Sequence, residues 1–177
     1  MNNWGKIFMN AIEVKDITKK YDNFRLNHVS LQIPEGSIYG LIGENGAGKT
    51  TLINCILGLV QPNYGDVVVL GSNNFINEVE LKDQLGFVIN DMGIPNILTV
   101  DKIEEIFSKI YKHWDHAQFI KLLKQFEIDK DEKYEPLSLG NKMRIAIAIA
   151  LSHNAKLLVL DEPMNALDPA IRAEVVE

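Results

Sequence analysis

An α/β domain with a largely parallel sheet is the fold class this sequence predicts, and three observations predict it. Short apolar runs rich in β-formers alternate with segments of helical periodicity. A glycine-rich loop, "GENGAGKT" at 43–50, joins the apolar run "SIYGLIG" to the helical segment "TLINCILGLV". A further apolar strand, "KLLVL" at 156–160, runs directly into two adjacent carboxylates, Asp161 and Glu162.

Taken in order, residues 1–10 read as a ragged leader, with Met9 an alternative start, because the first convincing strand is "AIEVKDI" at 11–17. A strand "FRLNHVSLQI" at 24–33 alternates with period two, and "PEG" turns the chain into a third strand, "SIYGLIG" at 37–43. Beyond the loop, Leu52, Cys55, Ile56 and Leu59 recur at helical spacing, and "QPNYG" closes the helix before the strand "DVVVLG" at 66–71. The strand "LGFVI" at 85–89 leads into the irregular "NDMGIPN", after which the pattern is helical from about Val100 to Phe126. Thr99 and Asp115 fit as N-caps, the latter with Gln118 three residues on. The stretch "LSLGNKMRIAIAIALSH" at 137–153 then predicts a long apolar helix.

The chain has 177 residues, 46% hydrophobic and 8% aromatic, enough for one domain with a real core. Its net charge of −6, with lysines and arginines scattered, offers no basic field for a nucleic acid. The single cysteine, Cys55, excludes an internal disulfide framework and suits a reduced compartment. No run approaches the roughly 18 apolar residues of a membrane helix, and the leader is too short in apolar residues for a signal peptide.

The loop matches G-x-x-x-x-G-K-[ST] in the context that gives the match meaning, after an apolar run and at the start of a helix. Gly43, Gly46 and Gly48 would let the backbone curl, through Glu44, Asn45 and Ala47, so that successive N–H groups face phosphate oxygens. Lys49 would bring a point charge to the β and γ phosphates, the Thr50 hydroxyl a ligand for Mg²⁺, and Thr51 a contact to a further phosphate oxygen. The bland alternative is a glycine-rich turn with a surface lysine. In "LLVLDEP", Asp161 emerges at a strand end, where a carboxylate can hold Mg²⁺ through water. Glu162 beside it is a candidate general base for the water that attacks the γ phosphate. An isolated "DE" after a strand would more simply be a solvated helix cap, but this pair is not isolated.

The order of these motifs resembles the ATP-binding subunits of ABC transporters, over about residues 11–177. "LSLGN" at 137–141 looks like the family's signature LSGGQ, and "NALD" at 165–168 like its D-loop. The resemblance implies a P-loop NTPase with a mixed β-sheet, an N-terminal antiparallel β subdomain and a helical subdomain at about 91–152. It implies ATP and Mg²⁺ as ligands, with Tyr21 stacking on adenine and Ser138 and Gly140 reaching the γ phosphate bound to a second, head-to-tail ATP-binding subunit. Asp168 would help couple the two sites. A transmembrane permease would be the other partner, placing the chain on the cytoplasmic face of the cell membrane. Small bacterial exporters of the drug-resistance and bacteriocin-resistance type look most similar. A soluble ABC-type ATPase of translation or DNA repair, and a non-hydrolysing nucleotide-binding fragment, are the alternatives.

Three positions depart from the family pattern: Leu139 for the first signature glycine, Asn141 for its glutamine, and Asn90 for the Q-loop glutamine that would reach Mg²⁺. None of His28, His113, His116 and His153 stands at the family's switch histidine, which lies on a strand later in sequence and placed in the family's sheet between the strand before the glycine-rich loop (Walker A) and the strand of "LLVLDEP" (Walker B). The reading therefore expects a chain that ends before that core strand and hydrolyses ATP poorly. His153 is expected to be satisfied by the last carbonyls of its helix, and Cys55 to be core.

Overall fold

The first two strands build a twisted hairpin because their apolar residues alternate with polar ones, and the inward set is Ala11, Ile12, Val14, Ile17 and Leu26. In the computed structural model, which describes residues 9–73, 77–89 and 92–161, β1 spans Asn10–Tyr21 and β2 Phe24–Pro34. They pair antiparallel across the short Asp22–Asn23 turn, with Tyr21 opposite Phe24. On its other edge β1 takes β3, Tyr64–Val69, also antiparallel, giving the order β2-β1-β3. Helix α1, Lys49–Ile56, covers this sheet with Leu52, Ile53, Cys55 and Ile56. Gly65 is forced where β3 meets β1: its φ is +89°, and a Cβ there would stand 2.4 Å from the Lys15 carbonyl oxygen.

The run "SIYGLIG" does not become a strand. Residues 37–44 carry no strand assignment, and Ile38, Tyr39, Leu41 and Ile42 are exposed. Apolar composition marks a segment fit for a buried strand, but the ladder itself comes from neighbours. The helix after the loop is likewise shorter than expected: it ends at Ile56, and Leu59 is exposed.

The chain divides into two compact units, residues 1–81 and 82–177, and the short helix α2, Val79–Lys82, falls at the division. In the second unit β4, Leu85–Val88, pairs parallel with β5, Leu157–Leu160, in the register Leu85↔Leu157 to Val88↔Leu160. Both strands end at the same edge. The described residues of the unit also form the helices α3, Val100–Ile110, α4, His116–Gln125, and α5, Leu139–Leu151. The expected caps form. Thr99 Oγ1 accepts from the Lys102 N–H at 3.3 Å and an Asp115 carboxylate oxygen from the Gln118 N–H at 2.9 Å. The Asp115 cap implies a new helix start within the helical stretch read from Val100 to Phe126, and the chain breaks there at residues 111–115.

Helix α5 is buried on every side from Ile145 to Ala150, which is what an Ile-Ala alternation without a polar face dictates. At its end His153 is buried, with the carbonyl oxygens of Ile149 and Leu85 at 3.0 and 3.2 Å from Nδ1 and Nε2 and the Tyr111 ring stacked 3.8 Å away. The expectation of a helix-end histidine held by carbonyls is met. Gly86 on β4 admits α5 closely, since a Cβ there would meet the Ala150 carbonyl oxygen at 2.8 Å. Among the described residues no helix is long and apolar enough to cross a membrane.

Glu104 is a buried acid on α3 that ties α3 to α4. Its Oε1 accepts from Trp114 Nε1 at 3.3 Å and meets His116 Nδ1. Glu104→Ala is expected to lower unfolding stability by about 1–3 kcal/mol, because it strands a half-buried indole N–H. Glu104→Gln, which keeps an acceptor, should cost less. Urea titrations of the two variants check this, and equal midpoints would contradict it.

Candidate functional site

Lys49 opens α1, and the loop before it winds back over its ammonium group. Nζ donates to the carbonyl oxygens of Gly43 at 2.8 Å and Glu44 at 3.0 Å. The Ala47 N–H closes the same loop on the Glu44 carbonyl at 3.1 Å. Such a curl needs left-handed backbone, and Gly46 (φ +83°) and Gly48 (φ +99°) supply it. Gly43 does not share that role: its φ is not positive, and a Cβ there would simply reach contact distance, 3.4 Å, from the Ala47 Cβ. Glu44, Asn45 and Thr50 are exposed and Thr51 is half-buried.

Gly48 is the N-cap of α1, and no side chain caps that helix. The amides of the first turn are therefore not taken by a capping side chain, and they carry the positive end of the helix dipole. An anion in the curl would meet those N–H groups and the Lys49 charge together.

The β1–β2 hairpin leans on this loop. A Cβ on Gly48 would lie 2.7 Å from Phe24 Cζ and 3.1 Å from Leu26 Cδ1. Tyr21, the last residue of β1 and 48% exposed, holds its ring centroid 6.4 Å from that of Phe24, tilted by 31°. The structure thus links Tyr21 to Gly48 of the loop through Phe24, which sequence reasoning missed. Its only signal was an aromatic placed opposite Tyr21 across the turn. Cys55 is core, as expected, and burial pushes its thiol up, opposed in part by the nearby Lys19 ammonium. It is a poor nucleophile in the folded chain.

The remaining residues belong to the second unit. Asp161 is 2% exposed and stands where the parallel pair ends, its N–H donating to the Val88 carbonyl at 2.8 Å. That is the carboxyl edge of the strands, where open α/β sheets bind ligands. Ser138 is the N-cap of α5, its Oγ accepting from the Asn141 N–H at 3.1 Å. Among the described residues a Cβ on Gly140 would meet only Ser138 Oγ, at 3.8 Å, and none of them requires glycine there. Leu139 is 70% exposed on the first turn of α5, which is why a side chain fits at this signature position. Asn90, Glu162 and Asp168 lie outside the described residues.

A family model described as ABC transporter matches residues 26–165. The bacitracin transport ATP-binding protein BcrA of Enterococcus faecalis is 36% identical over 168 residues, 93% of this chain and 54% of that protein. Its counterpart in Bacillus licheniformis is 36% identical over 161 residues, 89% of this chain and 53% of that protein. A solved ATP-binding subunit of an ABC transporter superposes with a TM-score of 0.78 at 26% identity, covering 92% of this chain and 70% of the other. This chain spans about half the length of the curated relatives it matches. The phosphate-loop geometry, the mixed α/β architecture and these similarities agree: the chain belongs to the ABC transporter family.

Proposed function

We propose that the chain binds Mg-ATP and serves as the ATP-hydrolysing, energy-coupling subunit of a membrane transporter. The observation that carries this reading is the curl of residues 43–48 around Lys49 at an N-terminus of α1 that no side chain caps. Lys49, the amides of Gly46 to Thr51 and the positive end of α1 bind the triphosphate, and Tyr21 stacks on adenine. The site is built to hold charge rather than to form bonds, which is what phosphoryl transfer asks of a protein. Glu162, next to the buried Asp161, accepts the proton of the attacking water.

The Thr50 hydroxyl and, separately, the Asp161 carboxylate are each hard oxygen donors of the kind that suits Mg²⁺, and the Asn90 side chain offers a further oxygen. When bound, the ion would neutralise charge on the β and γ phosphates. Ser138 and Gly140 serve a second subunit in a head-to-tail pair: the bare backbone at Gly140 and the amides of the first turn of α5 face the nucleotide held by the partner. Within a helical subdomain of about residues 91–152, the 90–127 region passes the motion to a transmembrane permease, so the chain works on the cytoplasmic face of the membrane.

Phosphate release followed in the purified chain tests the chemical part. Glu162→Gln is expected to slow release by about 100-fold or more, the range in which a general base acts, while leaving ATP affinity nearly unchanged. Release that ignores Glu162 would contradict its role.

A further inference from the structure

Lys19 lies beside this site and no role above includes it. It stands on β1 two residues before Tyr21, on the same face of the strand, with its side chain half-buried. Its Nζ donates to the Gln61 carbonyl at 2.8 Å and lies over the Tyr21 ring, 5.4 Å from the centroid. Gln61 belongs to the segment that follows α1, the helix whose first turn carries the phosphate loop. The same segment grips the end of β1 twice more, through Lys20 N–H to Asn63 Oδ1 at 2.8 Å and Asn63 N–H to the Thr18 carbonyl at 2.8 Å.

Phe24, tilted by 31° with its centroid 6.4 Å away, meets the Tyr21 ring from across the strand pair, but half of the tyrosine is in water. An anchored ammonium further sets the ring angle, because the face of an aromatic ring attracts a cation. That ammonium lies against the ring, and with Tyr21 48% exposed, ring surface remains for a flat ligand. The anchor itself is a backbone carbonyl beyond α1, so the ring angle is tied to the element that presents the phosphate loop.

We propose that Lys19 is a positioning residue for the base end of the nucleotide site: anchored on the Gln61 carbonyl, it holds the Tyr21 ring as a platform for a purine base. The inference rests on the ATP-binding reading above and deepens it. Lys19 then acts on the base and not on the phosphates.

Equilibrium binding of Mg-ATP and of inorganic triphosphate to the 177-residue chain separates these contributions. Lys19→Met, which keeps the apolar stem, is expected to weaken ATP about 5- to 10-fold, the scale of a cation–π contact, and to leave triphosphate unchanged. Lys19→Arg should retain near-native ATP affinity, since a guanidinium also stacks on an aromatic face. In a Tyr21→Ala background, Lys19→Met should have no further effect on ATP. A merely structural role would weaken both ligands alike, so equal losses overturn the proposal, as does an unchanged ATP affinity in Lys19→Met. Failure of the unsubstituted chain to bind either ligand would instead overturn the ATP-binding reading on which the proposal stands.

Discussion

Lys49→Ala is expected to weaken Mg-ATP binding by about 100-fold or more. The ammonium sits inside the curl, where the Gly43 and Glu44 carbonyls hold it at 2.8 and 3.0 Å. A polyphosphate entering the curl exchanges those neutral acceptors for charged ones. Charge-assisted hydrogen bonds contribute about 1.5–3 kcal/mol each, and about 2.7 kcal/mol corresponds to a factor of 100. Lys49→Arg should not rescue binding, because a planar fork cannot take the place of a compact point charge between two nearby carbonyls. Titration calorimetry on the three proteins measures this, with thermal unfolding alongside to show that each is folded. An alanine variant that binds ATP within a few-fold of the unsubstituted chain would contradict the reading of the loop.

Gly48→Ala should be a strongly damaging single-carbon change at the phosphate loop. Two costs add. A non-glycine residue at φ +99° is strained, and the new Cβ would lie 2.7 Å from the Phe24 ring, which itself is half-buried against the loop. Together they are expected to cost about 2–4 kcal/mol. They also displace either the hairpin or the curl, so ATP binding should fall with stability. Adding Phe24→Ala removes the closest overlap but neither the 3.1 Å approach to Leu26 nor the backbone strain, so the double variant should recover stability only in part. Urea unfolding of the single and double variants checks it. Gly48→Ala with native stability and native affinity would show that the hairpin does not lean on the loop.

The elements legible in the sequence were those whose signal is local. The hairpin of β1 and β2 followed from period-two alternation, the caps Thr99 and Asp115 from residue types that accept from the amide three positions on, and the burial of α5 from an unbroken apolar run. The Gly46–Gly48 curl was legible for the same reason: left-handed backbone and a lysine at fixed spacing are demands on single residues.

What stayed hidden depends on contacts between distant segments. "SIYGLIG" has the composition of a core strand, yet pairing is a property of neighbours, and the run stands exposed. The Asp115 cap marked where α4 starts, but not what packs the 111–115 break: Tyr111 and Trp114 stack on each other, and Tyr111 stacks on His153 beyond α5. Phe24 and Lys19 were invisible as site residues for the same reason. Each acts across the sheet, one on Gly48 and the other on Gln61, and neither partner is adjacent in sequence.

The most direct measurement on the phosphate loop is a titration of the chain with Mg-ATP, followed by backbone amide ¹H–¹⁵N chemical shifts. The predicted result is saturable shifts concentrated on Gly46, Gly48, Lys49, Thr50 and Thr51, absent in Lys49→Ala. Shifts that leave those amides still, or that persist without Lys49, would contradict a phosphate site at the start of α1.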